Sequence, residues 1–376
     1  MVNHPEVVYW LTLINESGLK LNLVKTIIQR WSVIEQRTVA DLFDLSPLEW
    51  STTFGLSDGE GERAASLSNK LEGQAKALAQ WQAQGIDVLL RTDPRYPRRL
   101  AHLLPPAQQP LLLWGQGNLS LLNEPMVAVL GNESNESTTA FIDELMQVLV
   151  EEEIGLVSGY GRGLDRSTFE TMLTTEGGRA VAIIPMGLSA FARTTSKLTQ
   201  AVNAGQIVLV SPFTPATTFN EKFADARNLL IDYLALTLLV LDTDDDALAR
   251  AEVALERDLP VLVHPSDNDA TRKLIDQGAF LLTDPGEVIE MAQQAMIDDT
   301  LLEEAPEPEP VLLPSAPVSP PVLPDNSTDD YTLHTEELEP IDTDEAMEIL
   351  SMGGEVPEVL RRRLEKSEEN DSHSNS

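Results

Sequence analysis

Residues 126–159 read MVAVLGNESNESTTAFIDELMQVLVEEEIGLVSG and place two short apolar runs on either side of a helical pattern. Short continuous apolar runs are typical of parallel strands that are buried on both faces of a sheet. The alternation continues downstream, with further apolar runs at RAVAIIP (179–185), QIVLVSP (206–212), LALTLLVLD (234–242), PVLVHP (260–265) and FLLT (280–283). This β–α repeat predicts an α/β fold with a Rossmann-like, doubly wound and mostly parallel sheet.

The chain on either side of this repeat has a different composition. Upstream, apolar residues recur at helical spacing, which predicts a small helical domain over 1–85, of the sterile-alpha-motif (SAM) or helix-hairpin-helix type. The Rossmann-type domain is then expected over 86–297. Dense proline and negative charge predict a disordered acidic linker over 298–340. The remaining acidic tail, 341–376, could form a short helix and act either as a docking peptide or as a solvated segment.

The stretch GLSDGEGERAAS (55–66) within the helical part has two interpretations. It loosely resembles a helix-hairpin-helix turn, whose backbone amides can hold a phosphate. An ordinary turn between helices is favoured, because Asp58, Glu60 and Glu62 lie where a phosphate would be repelled.

Composition excludes several classes of site. The 376 residues include no cysteine, so disulfides and thiolate metal sites are excluded, and the five histidines are scattered along the sequence. The N-terminal residues lack the basic and apolar regions of a secretory signal, and no apolar run reaches the roughly 18 residues of a membrane span. A cytoplasmic protein without a cofactor or metal is therefore expected.

The formal net charge of −35 restricts any nucleic-acid partner to a local patch. The segment 298–376 holds 22 acidic and 4 basic residues, and 126–297 holds 26 acidic and 11 basic residues. Because Lys and Arg neutralise the phosphates that supply most nucleic-acid affinity, a site here must concentrate its few cations.

Ligands of doubly wound sheets collect at the carboxyl ends of the strands. The first turn there is GLVSGYGRGLDRST (155–168), in which glycine allows close approach of the backbone to a ligand and Arg162 could contact a phosphate. The following helix, expected to begin near Asp165 or Arg166, presents free N–H groups, although Asp165 could instead cap that helix and repel an anion. A phosphate site and a simple turn both remain open.

Two further turns offer weaker sites. Gly131 closes a strand, but Glu133 and Glu136 follow it where an anion site would need a cation. Arg227 and Asn228 are predicted to lie in a helix that leads to the next buried strand. That strand ends in LDTDDD (241–246), which could chelate a divalent cation or, as is favoured, cap a helix with acidic residues in its first turn.

Six landmarks in order give residues 86–297 a resemblance to the DNA-processing protein A (DprA or Smf) family. They are DPRYPRRLAHLLPPAQQPLLLWGQGN (93–118), VAVLG, LVSGYGRGLD, GRAVAIIPMGL with SKLTQAVNAGQIVLVSPF, FADARNLLI, and RKLIDQGAFLLTDPGEVIE. Members of this family protect incoming single-stranded DNA and load the RecA recombinase during transformation. The resemblance therefore implies a non-enzymatic, single-stranded-DNA-binding homodimer with RecA as a partner.

The chain departs from the family pattern at the strand ends. Gly131-Asn132-Glu133 replaces Gly-Ser-Arg, Phe169 replaces a histidine, and Phe191-Ala192 replaces a Tyr-Pro pair. Leu229 replaces the second arginine of an Arg-Asn-Arg element, and five residues from Asp242 replace a Ser-Gly-Ser turn. The resemblance leaves these candidate DNA- or phosphate-binding residues: Gly131, Ser158, Gly159, Gly161, Arg162, Gly163, Asp165, Arg227 and Asn228.

Three hypotheses follow. The favoured one is a DprA-like protein that binds single-stranded DNA at a partly degenerate site and supports recombinase loading. A second is a diverged sensor that binds a nucleotide or another small ligand in the same crevice. A third is a scaffold that binds nothing there and acts through its helical domain and tail. An enzyme is least favoured, because the sequence shows no nucleophile with its base, metal cluster or cofactor motif.

Overall fold

The computed structural model describes residues 5–132, 136–191 and 196–303. The predicted linker and tail lie almost wholly outside these residues, and the domain boundaries stay predictions. The helices are α1 (Glu6–Glu16), α2 (Leu21–Ile28), α3 (Pro47–Phe54), α4 (Asp58–Ala65), α5 (Leu71–Ala83), α6 (Arg98–Leu103), α7 (Glu136–Glu151), α8 (Leu164–Thr174), α9 (Ser196–Asn203), α10 (Lys222–Leu234), α11 (Asp245–Glu256), α12 (Asp269–Asp276) and α13 (Pro285–Glu303). A π-helical turn spans Gln29–Ile34, and 3-10 segments span Val39–Asp44, Ser66–Lys70 and Leu119–Asn123.

Nine strands form one sheet within the described residues. They are β1 (Asp87–Leu90), β2 (Leu112–Gly117), β3 (Met126–Leu130), β4 (Gly155–Ser158), β5 (Ala180–Ile183), β6 (Ile207–Ser211), β7 (Leu238–Val240), β8 (Val261–Val263) and β9 (Phe280–Leu281). Their order is β1-β2-β6-β5-β4-β3-β7-β8-β9. Strands β3 to β9 pair in parallel, whereas β2 pairs antiparallel with both β1 and β6.

The predicted α/β class, with a mostly parallel Rossmann-like sheet, is confirmed, and each predicted apolar run contains a strand. The run at 234–242 is only partly strand, because α10 continues to Leu234 and β7 begins at Leu238. Sequence periodicity could not separate these two, because the last helical turn and the strand are equally apolar.

The core of the sheet explains the continuous apolar runs. Strands β3, β4, β5 and β6 are buried at every position. Successive strand side chains point to opposite faces. Ala128 and Leu130 share one core with Leu230 and Ile231 of α10. Helix α8 also packs on β3, β4 and β5. Its Phe169 is fully buried but does not belong to the core that contains Leu230 and Ile231. Helices therefore cover both faces, so ligands can reach the central strands mainly at their ends.

The helical part upstream packs on the antiparallel edge of the sheet. Trp81 of α5 contacts the fully buried Trp114 of β2 edge to face, with ring centroids 4.8 Å apart. The Lys25 ammonium donates to the carbonyl of Ala107 at 2.7 Å. None of the described helices combines the length and apolar composition needed to cross a bilayer.

The turn between α3 and α4, within the stretch 55–66, is closed by local hydrogen bonds. Gly55 ends α3 in the left-handed conformation, and Ser57 caps α4 in a reciprocal capping box with Glu60. An added Cβ at Gly61 would lie 2.6 Å from the carbonyl oxygen of Pro47, so glycine there permits close packing of the two helices. The geometry is that of the favoured interhelical turn.

Candidate nucleic-acid interface

The glycine-rich turn after β4 is organised around the carboxylate of Asp165. Asp165 Oδ1 accepts hydrogen bonds from the Ser158 hydroxyl at 2.5 Å and from the Gly159 N–H at 3.1 Å. Asp165 Oδ2 accepts from the Gly161 N–H at 2.8 Å. The turn thus carries an internal anion, and two of the backbone amides that a phosphate would use already have an anionic partner.

The start of α8 differs from the sequence expectation. Helix α8 begins at Leu164, with Gly163 at the N-cap, φ 60° and ψ −132°. Asp165 therefore lies in the first turn and not at the cap, and its side chain reaches back to the preceding turn. The Leu164 N–H donates to the carbonyl oxygen of Asn132 at 3.2 Å. An added Cβ at Gly163 would lie 2.0 Å from that oxygen, so only glycine fits here.

Arg227 of α10 lies directly over the turn. An added Cβ at Gly159 would be 2.9 Å from both Cδ and Nε of Arg227, and one at Gly161 would be 3.7 Å from Nη1. The absence of a side chain at Gly159 therefore makes room for Arg227, and that at Gly161 makes room for the Asp165 carboxylate, 2.9 Å from an added Cβ. Burial lowers the pKa of Arg227, and the nearby Asp165 carboxylate opposes that shift. The group remains a cation at neutral pH, because arginine titrates far above that range.

Asn228 holds Arg227 in place. Its Oδ1 accepts from Arg227 Nε at 3.0 Å and from Nη2 at 2.8 Å. The buried Asn228 amide donates in turn to Asp246 Oδ1 at 3.4 Å. Asp246 also lies 3.6 Å from Arg250, which forms a bidentate ion pair with Asp232. Asn228 is thus a positioning residue, and Arg227 is its cationic neighbour at the strand end.

Arg162 lies next to Gly161 on the same turn, and its side chain is exposed. The preceding Tyr160 adopts a left-handed φ of 49°. Arg166 lies over the Tyr160 ring at 5.3 Å, and its Nε donates to the Gly161 carbonyl at 3.1 Å. The turn therefore brings Arg162, Arg166 and Arg227 to the end of one strand.

The topological switch point lies between β3 and β7, where the strand order reverses. Gly131, at the end of β3, has φ 130°, and an added Cβ would lie 2.7 Å from Asp242 Cβ. The Asn132 N–H donates to Asp242 Oδ2 at 3.2 Å. Asp242 therefore packs against the end of β3, and the absence of a side chain at Gly131 makes room for it.

The aspartates after β7 have separate partners. Asp244 caps α11 by accepting from the Ala247 N–H at 2.8 Å, as the helix-cap interpretation predicts. Asp246 contacts Asn228, and Asp242 contacts Asn132. Within the described residues there is no group of three or more His, Cys, Asp or Glu side chains arranged to hold a metal ion.

The structure gives a packing role to several departures from the family pattern. Phe169 is fully buried and contacts Tyr160 with ring centroids 5.1 Å apart. Phe191 lies farther from Tyr160, at 6.5 Å. Leu229 packs against the core that α10 shares with the sheet. Glu133 and Ala192 lie outside the described residues.

Sequence reasoning missed two features of this edge. It did not foresee that Asp165 would occupy the amides of the turn, or that the buried Arg250–Asp232 pair would support Asp246 and Asn228. Asp165 lies four residues after Gly161 and only two after Gly163, and this short spacing was the available signal. No comparable signal exists for Asp232, which lies 18 residues from Arg250.

A family model described as DNA recombination-mediator protein A matches residues 87–293, more than half of the chain. The chain belongs to this family. The DNA processing protein DprA of Streptococcus pneumoniae is 28% identical over 205 residues, which are 52% of this chain and 71% of that protein. The predictions of a DprA-like relationship and of a DNA-processing protein are thereby confirmed at the level of the family.

One solved structure agrees with this chain in fold. The crystal structure of DprA from Streptococcus pneumoniae superposes with a TM-score of 0.58 at 23% identity, and covers 75% of this chain and 97% of that one. A Helicobacter pylori DNA processing protein A structure, described for its single-stranded DNA binding mode, has a TM-score of 0.47 at 19% identity. It covers 57% of this chain and 96% of that one.

Proposed function

We propose that this protein binds single-stranded DNA, without catalysing a reaction, at the end of β4. The observation that carries the proposal is the position of Arg227 against Gly159 and Gly161, beside the exposed Arg162. A guanidinium carries five N–H donors that suit phosphate oxygens, and Arg227 uses only Nε and Nη2 towards Asn228. Membership of a DNA recombination-mediator family makes DNA the appropriate polyanion.

The chemistry of the turn predicts how the strand is held. Asp165 already accepts from the amides of Gly159 and Gly161, so phosphates are held by arginine side chains and not by those two amides. Asp242 adds negative charge at the switch point. Binding is therefore of limited strength and depends strongly on salt, since each phosphate contact releases counterions.

The biological role follows from the family. The proposed role is to receive single-stranded DNA in the cytoplasm during DNA uptake, as a homodimer, and to pass it to the RecA recombinase. The whole chain carries a net charge of −35, which would repel DNA elsewhere and favour the turn that carries Arg162.

The test is fluorescence anisotropy with a labelled oligo-dT over a range of salt concentrations. Arg162→Ala and Arg227→Ala are each expected to weaken binding about tenfold, and to reduce the slope of log affinity against log salt by about 0.7. Arg179→Ala is the matched control. Arg179 immediately precedes β5 and so lies at the amino ends of the parallel strands, away from the turn that follows β4. This variant should leave the slope unchanged.

Two results would contradict the proposal. One is no binding by the unaltered protein at low salt. The other is equal binding by all the arginine variants. Thermal stabilisation by a mononucleotide in the absence of DNA binding would favour the alternative of a small-ligand sensor.

A further inference from the structure

Phe219 is an exposed aromatic residue at the carboxyl ends of the parallel strands, where the turn with Arg162 also lies. It lies in the loop 212–221 between β6 and α10, and 54% of its surface is accessible to solvent. The other two phenylalanines of this region, Phe213 and Phe223, are half-buried and stack on each other with centroids 4.1 Å apart. Two rings thus build the base of the loop, and the third faces solvent.

The loop is fixed on the N-terminal side of Phe219. The carbonyl oxygen of Thr217 accepts from the Gly187 N–H at 2.8 Å, and that of Pro215 accepts from the Ser189 N–H at 2.9 Å. An added Cβ at Gly187 would lie 2.2 Å from the carbonyl oxygen of Thr214, so the two loops are in direct contact. This part of the loop therefore has a defined conformation.

The loop is also fixed on the C-terminal side of Phe219. Asn220 Oδ1 accepts from the Lys222 N–H at 3.0 Å, and the Asn220 carbonyl accepts from the Phe223 N–H at 2.9 Å. These bonds start α10 immediately after the exposed ring. A ring held out by a fixed backbone loses little additional conformational entropy when it stacks on a flat partner.

The position of Phe219 suits a strand that also contacts Arg227. Helix α10 begins at Lys222, whose side chain is exposed, and Arg227 lies five residues further along it. That is about 7.5 Å along the helix axis. Phe219 lies three residues before Lys222, or at most roughly 10 Å of extended chain. These distances match the reach of a few nucleotides.

We propose that Phe219 is a stacking platform for a nucleobase of the single strand whose phosphates Arg162 and Arg227 bind. This inference rests on the proposed function and adds a base-contacting residue to it. Stacking on an aromatic ring is tolerant of sequence, because every base has a π-face. The interaction carries no net charge, so it contributes to affinity without changing the salt dependence.

The experiment compares two fluorescent ligands of equal length, an oligo-dT and an abasic strand with the same phosphates. The proteins are the unaltered full chain, Phe219→Ala, Phe219→Leu and Phe219→Trp. Phe219→Ala and Phe219→Leu should lower the affinity for oligo-dT about tenfold, leave the affinity for the abasic strand unchanged, and keep the salt slope. Phe219→Trp should retain or increase the affinity for oligo-dT. Leu48→Ala, at an exposed apolar residue of α3, is the control and should change nothing.

The outcomes separate this inference from the proposed function. If the unaltered protein binds oligo-dT and Phe219→Ala binds it equally well, the stacking role is wrong and the proposed function stands. If Phe219→Ala weakens both ligands to the same extent, Phe219 supports the loop and does not stack on a base. If the unaltered protein binds neither ligand at low salt, the proposed function is wrong and the stacking role with it.

Discussion

Two carboxylates at the carboxyl ends of the strands accept hydrogen bonds from the adjacent turns. Asp165 satisfies the hydroxyl of Ser158 and two backbone amides, and Asp242 satisfies the amide of Asn132. A carboxylate that accepts several N–H bonds stabilises a turn in the way that a bound anion would. These turns therefore have an anionic partner without a ligand, and the proposed DNA contact depends on the arginines around them.

Replacing Asp165 tests this internal anion. Asp165→Ala leaves the Ser158 hydroxyl and two amides without their acceptor, so we expect the free energy of unfolding to fall by about 2–3 kcal/mol. Asp165→Asn keeps one acceptor oxygen and should lose less. Chemical denaturation measures both. Asp245→Ala, which removes an exposed aspartate from the first turn of α11, is the control. Equal stability of the alanine and asparagine variants would contradict the assignment.

At the scale of elements, two short helices depend on reciprocal capping. Ser46 with Glu49 caps α3, and Ser57 with Glu60 caps α4. Capping matters here because an eight-residue helix has few internal hydrogen bonds and leaves four N–H groups unpaired at its start. The hydrogen bonds from Ser46 and Ser57 lower the pKa values of Glu49 and Glu60.

The lowered pKa values predict the pH dependence of stability. A carboxyl whose pKa is lower in the folded state stabilises the protein above its unfolded pKa, near 4.5, and loses that contribution as pH falls through the folded value. The double variant Glu49→Gln, Glu60→Gln should be less stable than the unaltered protein at neutral pH. The difference should shrink as pH falls below about 4.

Denaturant unfolding followed across this pH range provides the measurement. Glu62→Gln, on α4 but outside the capping box, should behave like the unaltered protein at every pH. A difference in stability that stayed constant from neutral to acidic pH would show that the two glutamates act through something other than their charged caps.

At the scale of the whole molecule, the helical part and the sheet share a packed contact. Trp81 of α5 lies edge to face against Trp114, which is fully buried in β2. The Gln116 amide of the same strand donates to the carbonyl of Gln84 at 2.6 Å. We therefore expect the two parts to unfold together.

Trp81→Ala tests that coupling. Loss of the indole should lower the free energy of unfolding by on the order of 2 kcal/mol, because the half-buried ring loses its contact with Trp114. The unfolding transition, followed by circular dichroism and tryptophan fluorescence together, should broaden or divide into two. Gln82→Ala, at an exposed position of the same helix, should preserve a single transition. A single sharp transition in the Trp81 variant would show that the contact does not couple the two parts.

The class of fold and the family can both be predicted from the order of residues along the chain. Continuous apolar runs such as 126–131 are typical of strands buried between two helical layers, and the ordered landmarks from 93 onward identify the relationship. It also predicted that the acidic run 241–246 caps a helix, and the structure assigns the cap to Asp244, because capping depends on neighbours in the chain.

The chemistry of the candidate site follows from contacts between residues that are far apart in the sequence. Arg227 contacts Gly159, which lies 68 residues earlier in the sequence, and Asp242 binds the amide of Asn132, 110 residues earlier. Phe219 is a candidate for base stacking because it is exposed at the carboxyl ends of the strands. Local patterns report which residues can form a helix or strand. Long-range packing decides which charges face each other, because side chains distant in sequence meet only when the sheet assembles.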